Sequence, residues 1–161
     1  DVLGGIANLR HDLDNRPSFH TRWFLEGVCE LLAKKFSRLE APDLWGRFLA
    51  RRNVDSVLAD TQIRKTIFRW AQENRNSPAL ESNLYGAAML ILIRWSEEIS
   101  VRELLALIQR QDKPLVGADL LTMMETSTGL SSENILDQGH QLGRRLLPLA
   151  LQATPYLSSR M

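Results

Sequence analysis

Apolar residues recur along this chain at three- and four-residue steps, and polar or proline-bearing stretches fall between the apolar segments. That is the pattern of helices that each bury one stripe. The spacing predicts a first short helix from Val2 to about Leu13, with Leu3, Ile6, Leu9 and Leu13 on one side, broken by "DNRPS". A second follows to about Phe36, its buried side carrying Trp23, Phe24, Val28, Leu31 and Leu32. Pro42 suits the first position of "APDLWGRFLARR", with Leu44, Trp45, Phe48 and Leu49 inward. Asp60 or Thr61 caps a segment carrying Ile63, Ile67, Phe68 and Ala71, which "NRNSP" ends. Ser77-Pro78 opens the longest apolar run, Leu80 to about Trp95. Ser100 and Glu103 have capping-box spacing ahead of "SVRELLALIQR". "VGADLLTMMETSTG" reads as a helix closed by Gly129, and "SSENILDQGHQLGRRLLP" as a last long one stopped by Pro148. No alternating strand pattern, internal repeat or low-complexity tract is present. The expectation is an all-α single domain over residues 1–161, with about seven or eight helices.

Composition narrows the functional classes. With 161 residues the chain has the size of one domain, and 44% hydrophobic with 24% charged residues predicts a soluble globular protein, compatible with the cytoplasm. Twenty basic residues against 19 acidic ones leave a net charge of +1, which gives no bulk electrostatic case for nucleic acid or an anionic membrane. No run approaches the roughly 20 apolar residues that span a bilayer. The single cysteine, Cys29, cannot form an internal disulfide, and its apolar neighbours predict a buried free thiol. The chain opens at Asp1 with neither an initiator Met nor a charged-then-apolar leader, which suggests a fragment or a processed product.

The common catalytic signatures are absent: no HExxH, Cys pair, P-loop, dinucleotide-binding glycine motif or G-x-S-x-G. His11, His20 and His140 are far apart in sequence and read as exposed or capping residues rather than as a zinc set. Arg51-Arg52 and Arg144-Arg145 read as solvated helix faces. Trp23, Trp45, Trp70 and Trp95 fall one per helix on apolar faces, as core residues do. One segment is odd for a buried helix. In "RWFLEGVCELL" an acid and a glycine, Glu26-Gly27, sit side by side in the middle. Glycine in a helix interior costs roughly 0.5–1 kcal/mol relative to alanine, and an unpaired buried carboxylate costs more. The plainest reading makes Glu26 a boundary acid paired with Arg22, one turn before it. On the same reading Tyr85 is a buried aromatic with its hydroxyl satisfied.

The order of segments resembles a family. "WFLEGVCELL" is similar to the W-x-x-E-G-x-A-E/S-Y/L segment of gluzincin metallopeptidases, the aminopeptidase-like HExxH…E enzymes. About sixty residues further on these have a Y-x-x-G/A-x-x-L-L segment, matched here by "YGAAMLIL" with Tyr85, Ala88, Leu90 and Ile91 in register. "VRELLALIQR", "LLTMMETSTGLSSENI" and "ILDQGHQLGRRLL" follow in the family's order, so the resemblance spans roughly residues 3 to 147. It implies the helical part of a gluzincin domain, with Glu26 as the third zinc ligand and Tyr85 as the donor to the oxyanion of the tetrahedral intermediate. It further implies that Gly27 and Cys29 are small so that the ligand-bearing helix can approach the HExxH helix.

The departure is at the catalytic centre. The family places HExxH about eighteen residues before the ligand Glu, which lands on "LGGIA" (Leu3 to Ala7) or "GGIAN" (Gly4 to Asn8). Glycines supply neither a ligand nor a base, and zinc needs two imidazoles four residues apart on one helix face. Three readings follow. The domain is a pseudopeptidase with no cofactor of its own, acting as an interaction or regulatory module for a protein or peptide partner. Alternatively it is a fragment of an active zinc peptidase whose HExxH lies upstream of Asp1. As a third reading it is a helical adaptor unrelated to peptidases, holding a partner in a groove.

Overall fold

A computed structural model describes residues 19–40, 56–71 and 75–151. Among these the chain is all-α: six α-helices, two short 3₁₀ turns and no strand. The helices are α1 (Arg22–Glu40), α2 (Thr61–Thr66), α3 (Pro78–Ser96), α4 (Val101–Gln109), α5 (Gly117–Thr128) and α6 (Ser132–Leu151). The 3₁₀ turns cover Val57–Ala59 and Ile67–Arg69. The expected helices over Val2–Leu13 and around Leu44 and Trp45 lie outside the described residues, as do the degenerate HExxH slots.

The ends of the helices follow from side-chain chemistry. Asp60 accepts from the N–H groups of Gln62 and Ile63 and starts α2. Ser77 caps α3, with Pro78 at a position where a missing N–H costs nothing. Ser100 and Glu103 cap each other reciprocally at α4, and those hydrogen bonds from Ser100 hold the Glu103 carboxyl below its ordinary pKa. Gly129 ends α5 at φ 68°, where the left-handed backbone lets its N–H reach the Glu125 carbonyl.

The core forms around α3. Nine of its residues are buried, among them the run from Gly86 to Leu92, so the helix is apolar nearly all round and must be covered on several sides. α1 packs along it most extensively, and α6 packs against both α3 and the Val57–Ala59 turn. Trp23, Trp70 and Trp95 are fully buried. Trp23 contacts Phe68 edge-on at 5.3 Å between centroids and Trp95 at a tilt at 5.5 Å, and the Trp95 indole N–H donates to the Leu130 carbonyl. Edge-on aromatic pairs of this kind add about 0.5–1.5 kcal/mol to their area burial.

Several sequence expectations need correction. Cys29 is exposed, because positions 25, 29, 32 and 33 form the outer side of α1 while Trp23, Phe24, Gly27 and Val28 face α3. Leu32, on that outer side, is 40% exposed. α1 runs to Glu40, past Phe36, since nothing between them breaks a helix. The segment after Asp60 changes from α-helix to 3₁₀ at Ile67, and this tighter turn brings Ile67, Phe68 and Trp70 onto the core together. His20 is buried, and its backbone N–H donates to the Phe68 carbonyl. α6 does not stop at Pro148 but continues to Leu151; its irregular point is Gly139, at φ 44° and ψ −122°. Among the described residues no helix is long and apolar enough to cross a membrane.

Candidate functional site

Gly27 is where α1 comes closest to α3. A Cβ at this position would stand 2.9 Å from the Ala88 carbonyl oxygen and 3.4 Å from the Leu92 Cβ. The first of these is shorter than real Cβ atoms make, and it is to backbone, so the approach as it stands favours glycine. Its neighbour Glu26 is thereby carried to the edge of the α1–α3 contact. The pairing Arg22 with Glu81, Glu26 with Tyr85 and Gly27 with Ala88 shows that the two helices run in the same direction there.

Around that edge four polar side chains converge. Arg22 is the first residue of α1, where the helix dipole disfavours a cation by about 0.3–1 kcal/mol. The surroundings offset this. Its Nη1 donates to the Ala71 carbonyl at 3.1 Å, its Nη2 to Glu81 Oε2 at 3.3 Å and to the Tyr85 hydroxyl at 3.4 Å. Its Nε lies 3.5 Å from Glu26 Oε1, and its Cζ lies 4.0 Å from the centroid of the Trp70 ring. Glu81 is held in turn by the Trp70 indole N–H at 3.1 Å and the Asn76 amide at 2.8 Å. The Tyr85 hydroxyl donates to Glu26 Oε1 over a long 3.5 Å, and its ring meets Trp70 edge-on at 5.0 Å.

The two residues that the family resemblance singles out, Glu26 and Tyr85, therefore share one site. They share it with Arg22, the partner that helical spacing assigns to Glu26. Both carboxylates are about a quarter exposed (Glu26 28%, Glu81 24%), whereas the Arg22 side chain is only 14% exposed. The arrangement is an inner cation ringed by two acids, a phenol and an indole. Chemically it is a charge cluster in which one guanidinium faces two carboxylates and engages Oε1 of Glu26. Among the described residues no three His, Cys, Asp or Glu side chains are grouped so as to hold a metal ion. The sequence alone does not mark Glu81, Trp70 and Ala71 as site residues. The available signal was the i, i+4 pair Glu81–Tyr85, which matches Arg22–Glu26 on the facing helix.

Cys29 follows on the exposed side of α1. Partial burial and then the nearby carboxylates of Glu26 and Glu30 push its thiol above the ordinary value, which disfavours the reactive thiolate. In comparisons with known proteins, no family model, no curated protein and no solved structure matches the chain.

Proposed function

We propose that this chain is a gluzincin-like helical domain that does not hydrolyse peptides and serves as a protein-interaction or regulatory module. One observation supports this reading above the others: the Arg22 guanidinium stands between Glu26, Glu81 and Tyr85. A carboxylate kept from a lost zinc site would be a partly desolvated charge without compensation, and a cation one turn earlier supplies that compensation. Tyr85, the residue that would donate to an oxyanion, here donates to Glu26 and accepts from Arg22. The polar cluster then ties the start of α1 to α3 and to the Trp70–Ala71 segment, and its role is architectural.

The test is hydrolysis of a panel of internally quenched fluorogenic peptides by the purified chain, with and without added zinc. The expected result is no turnover above background in either condition. Zinc-dependent turnover that is lost in Glu26→Gln would refute the proposal.

A second reading draws on the 3.5 Å between Tyr85 and Glu26. The same pair suits a fragment of an active zinc peptidase in which an upstream HExxH completes the site and zinc displaces Arg22 from Glu26. The native coding sequence ahead of Asp1 separates the two: an HExxH there favours the second.

A further inference from the structure

We infer that the groove over Phe68 is a docking site for an acidic, partly apolar peptide segment of a partner protein. A cavity of about 530 Å³ opens between the Val57–Ala59 turn, α2 and the start of α6, with Phe68 and Leu136 among its walls. An adjoining cavity of about 480 Å³ shares Arg64, Lys65 and Phe68 with it and adds Phe19 and Arg69. Through these shared residues the two form one groove with an aromatic and aliphatic floor and three cations on its rim. Each part is of the size that takes side chains rather than single ions.

The charges on the rim specify the occupant. Arg64 is engaged by Asp137. Lys65 and Arg69, one helical turn apart and both exposed, have no carboxylate partner among the described residues. Arg69, though exposed, lies over Phe19, its Cζ 5.4 Å from the ring centroid, which sets the guanidinium beside the floor. Among the described residues Glu133 is the one acid lining the groove. Carboxylates arriving here would meet Lys65 and Arg69, which no described carboxylate engages, and the apolar residues between them would meet Phe68, Leu136 and Phe19. A nucleic acid backbone fits less well, because it would meet no continuous basic stripe on a chain of net charge +1 and would leave the apolar floor unused.

This inference rests on the interaction role proposed above and supplies its partner chemistry. It uses none of Arg22, Glu26, Glu81 or Tyr85, so peptide binding and peptidase inactivity can fail independently.

The experiment measures fluorescence anisotropy of a short labelled peptide that alternates Glu and Asp with Phe and Leu. Controls are its Gln/Asn counterpart, its Lys counterpart and a single-stranded oligonucleotide of similar negative charge. The acidic peptide is expected to bind tightest, and to weaken several-fold between about 20 and 200 mM salt. Lys65→Glu/Arg69→Glu should weaken it at least about tenfold, with the circular dichroism unchanged, and Lys65→Gln/Arg69→Gln by an intermediate factor. Equal binding of the Gln/Asn or Lys counterpart would overturn the inference, as would affinity that survives both double variants. Tighter binding of the oligonucleotide through the same two residues would overturn the choice of a peptide.

Discussion

Arg22 stacks on Trp70: its Cζ lies 4.0 Å from the indole centroid, and from that position its two terminal nitrogens reach Ala71, Glu81 and Tyr85. A planar guanidinium can stack and donate in several directions at once, whereas a lysine ammonium cannot reproduce both. Arg22→Met keeps much of the side chain's apolar volume and removes the charge, leaving Glu26 and Glu81 to repel each other across the gap. Removing one partner of a fully buried pair costs about 3–5 kcal/mol, but these carboxylates are about a quarter exposed, so the expected loss is ~1–3 kcal/mol. Urea denaturation checks it, and a variant as stable as the parent would show that the cluster carries no stability.

The two acids should not be equivalent. Glu26 makes one ion pair and one long hydrogen bond, so Glu26→Gln is expected to cost ~0.3–1 kcal/mol, with added salt narrowing the difference. Glu81 accepts from Arg22, Trp70 and Asn76. An amide there has one acceptor oxygen and turns an NH₂ toward a donor, so Glu81→Gln should cost more, ~1–3 kcal/mol. Paired thermal melts at low and high salt test the order. A gain in stability from Glu26→Gln would mean that the site is overloaded with negative charge.

Gly27→Ala sets helix propensity against packing. Alanine favours the helix by roughly 0.5–1 kcal/mol, but its Cβ would press on the Ala88 carbonyl, and overpacking of this kind costs about 1–3 kcal/mol. The expected sign is destabilising. A lower urea midpoint with an unchanged slope would agree, and a higher midpoint would show that α1 moves away from α3 freely.

What was legible in the sequence was what depends on near neighbours. Ser100 with Glu103, Ser77 before Pro78, Asp60 and Gly129 each act within one turn, and each does in the structure what its residue type suggests. The all-α class followed from the same local periodicity. The Arg22–Glu26 pair was legible for that reason too, being one turn of one helix. Glu81, Trp70 and Ala71 were not, because they reach Arg22 only after α1 has packed on α3, at separations of 49 residues or more for the contacts to Ala71, Glu81 and Tyr85. Cys29 was misread because a run of mostly apolar residues does not say which side of a helix is covered. Its neighbours at 24 and 28 turned inward while 25, 29 and 32 did not.

That exposed thiol gives a pH prediction. Partial burial, then Glu26 and Glu30, raise the Cys29 pKa, so at a given pH less thiolate is present than in a free cysteine. Alkylation by iodoacetamide should rise with pH along a curve displaced upward from that of a small thiol. Glu30→Gln should move the curve part of the way down. A curve at or below the free thiol's would contradict the assigned causes.

The central claim is that Arg22, and no metal, neutralises Glu26. The direct measurement is metal content by atomic emission after the chain is dialysed against zinc and then against zinc-free buffer. The account predicts far less than one zinc per chain, since a catalytic zinc site uses about three protein ligands and Glu26 is already engaged. About one zinc per chain, abolished by Glu26→Gln, would contradict it.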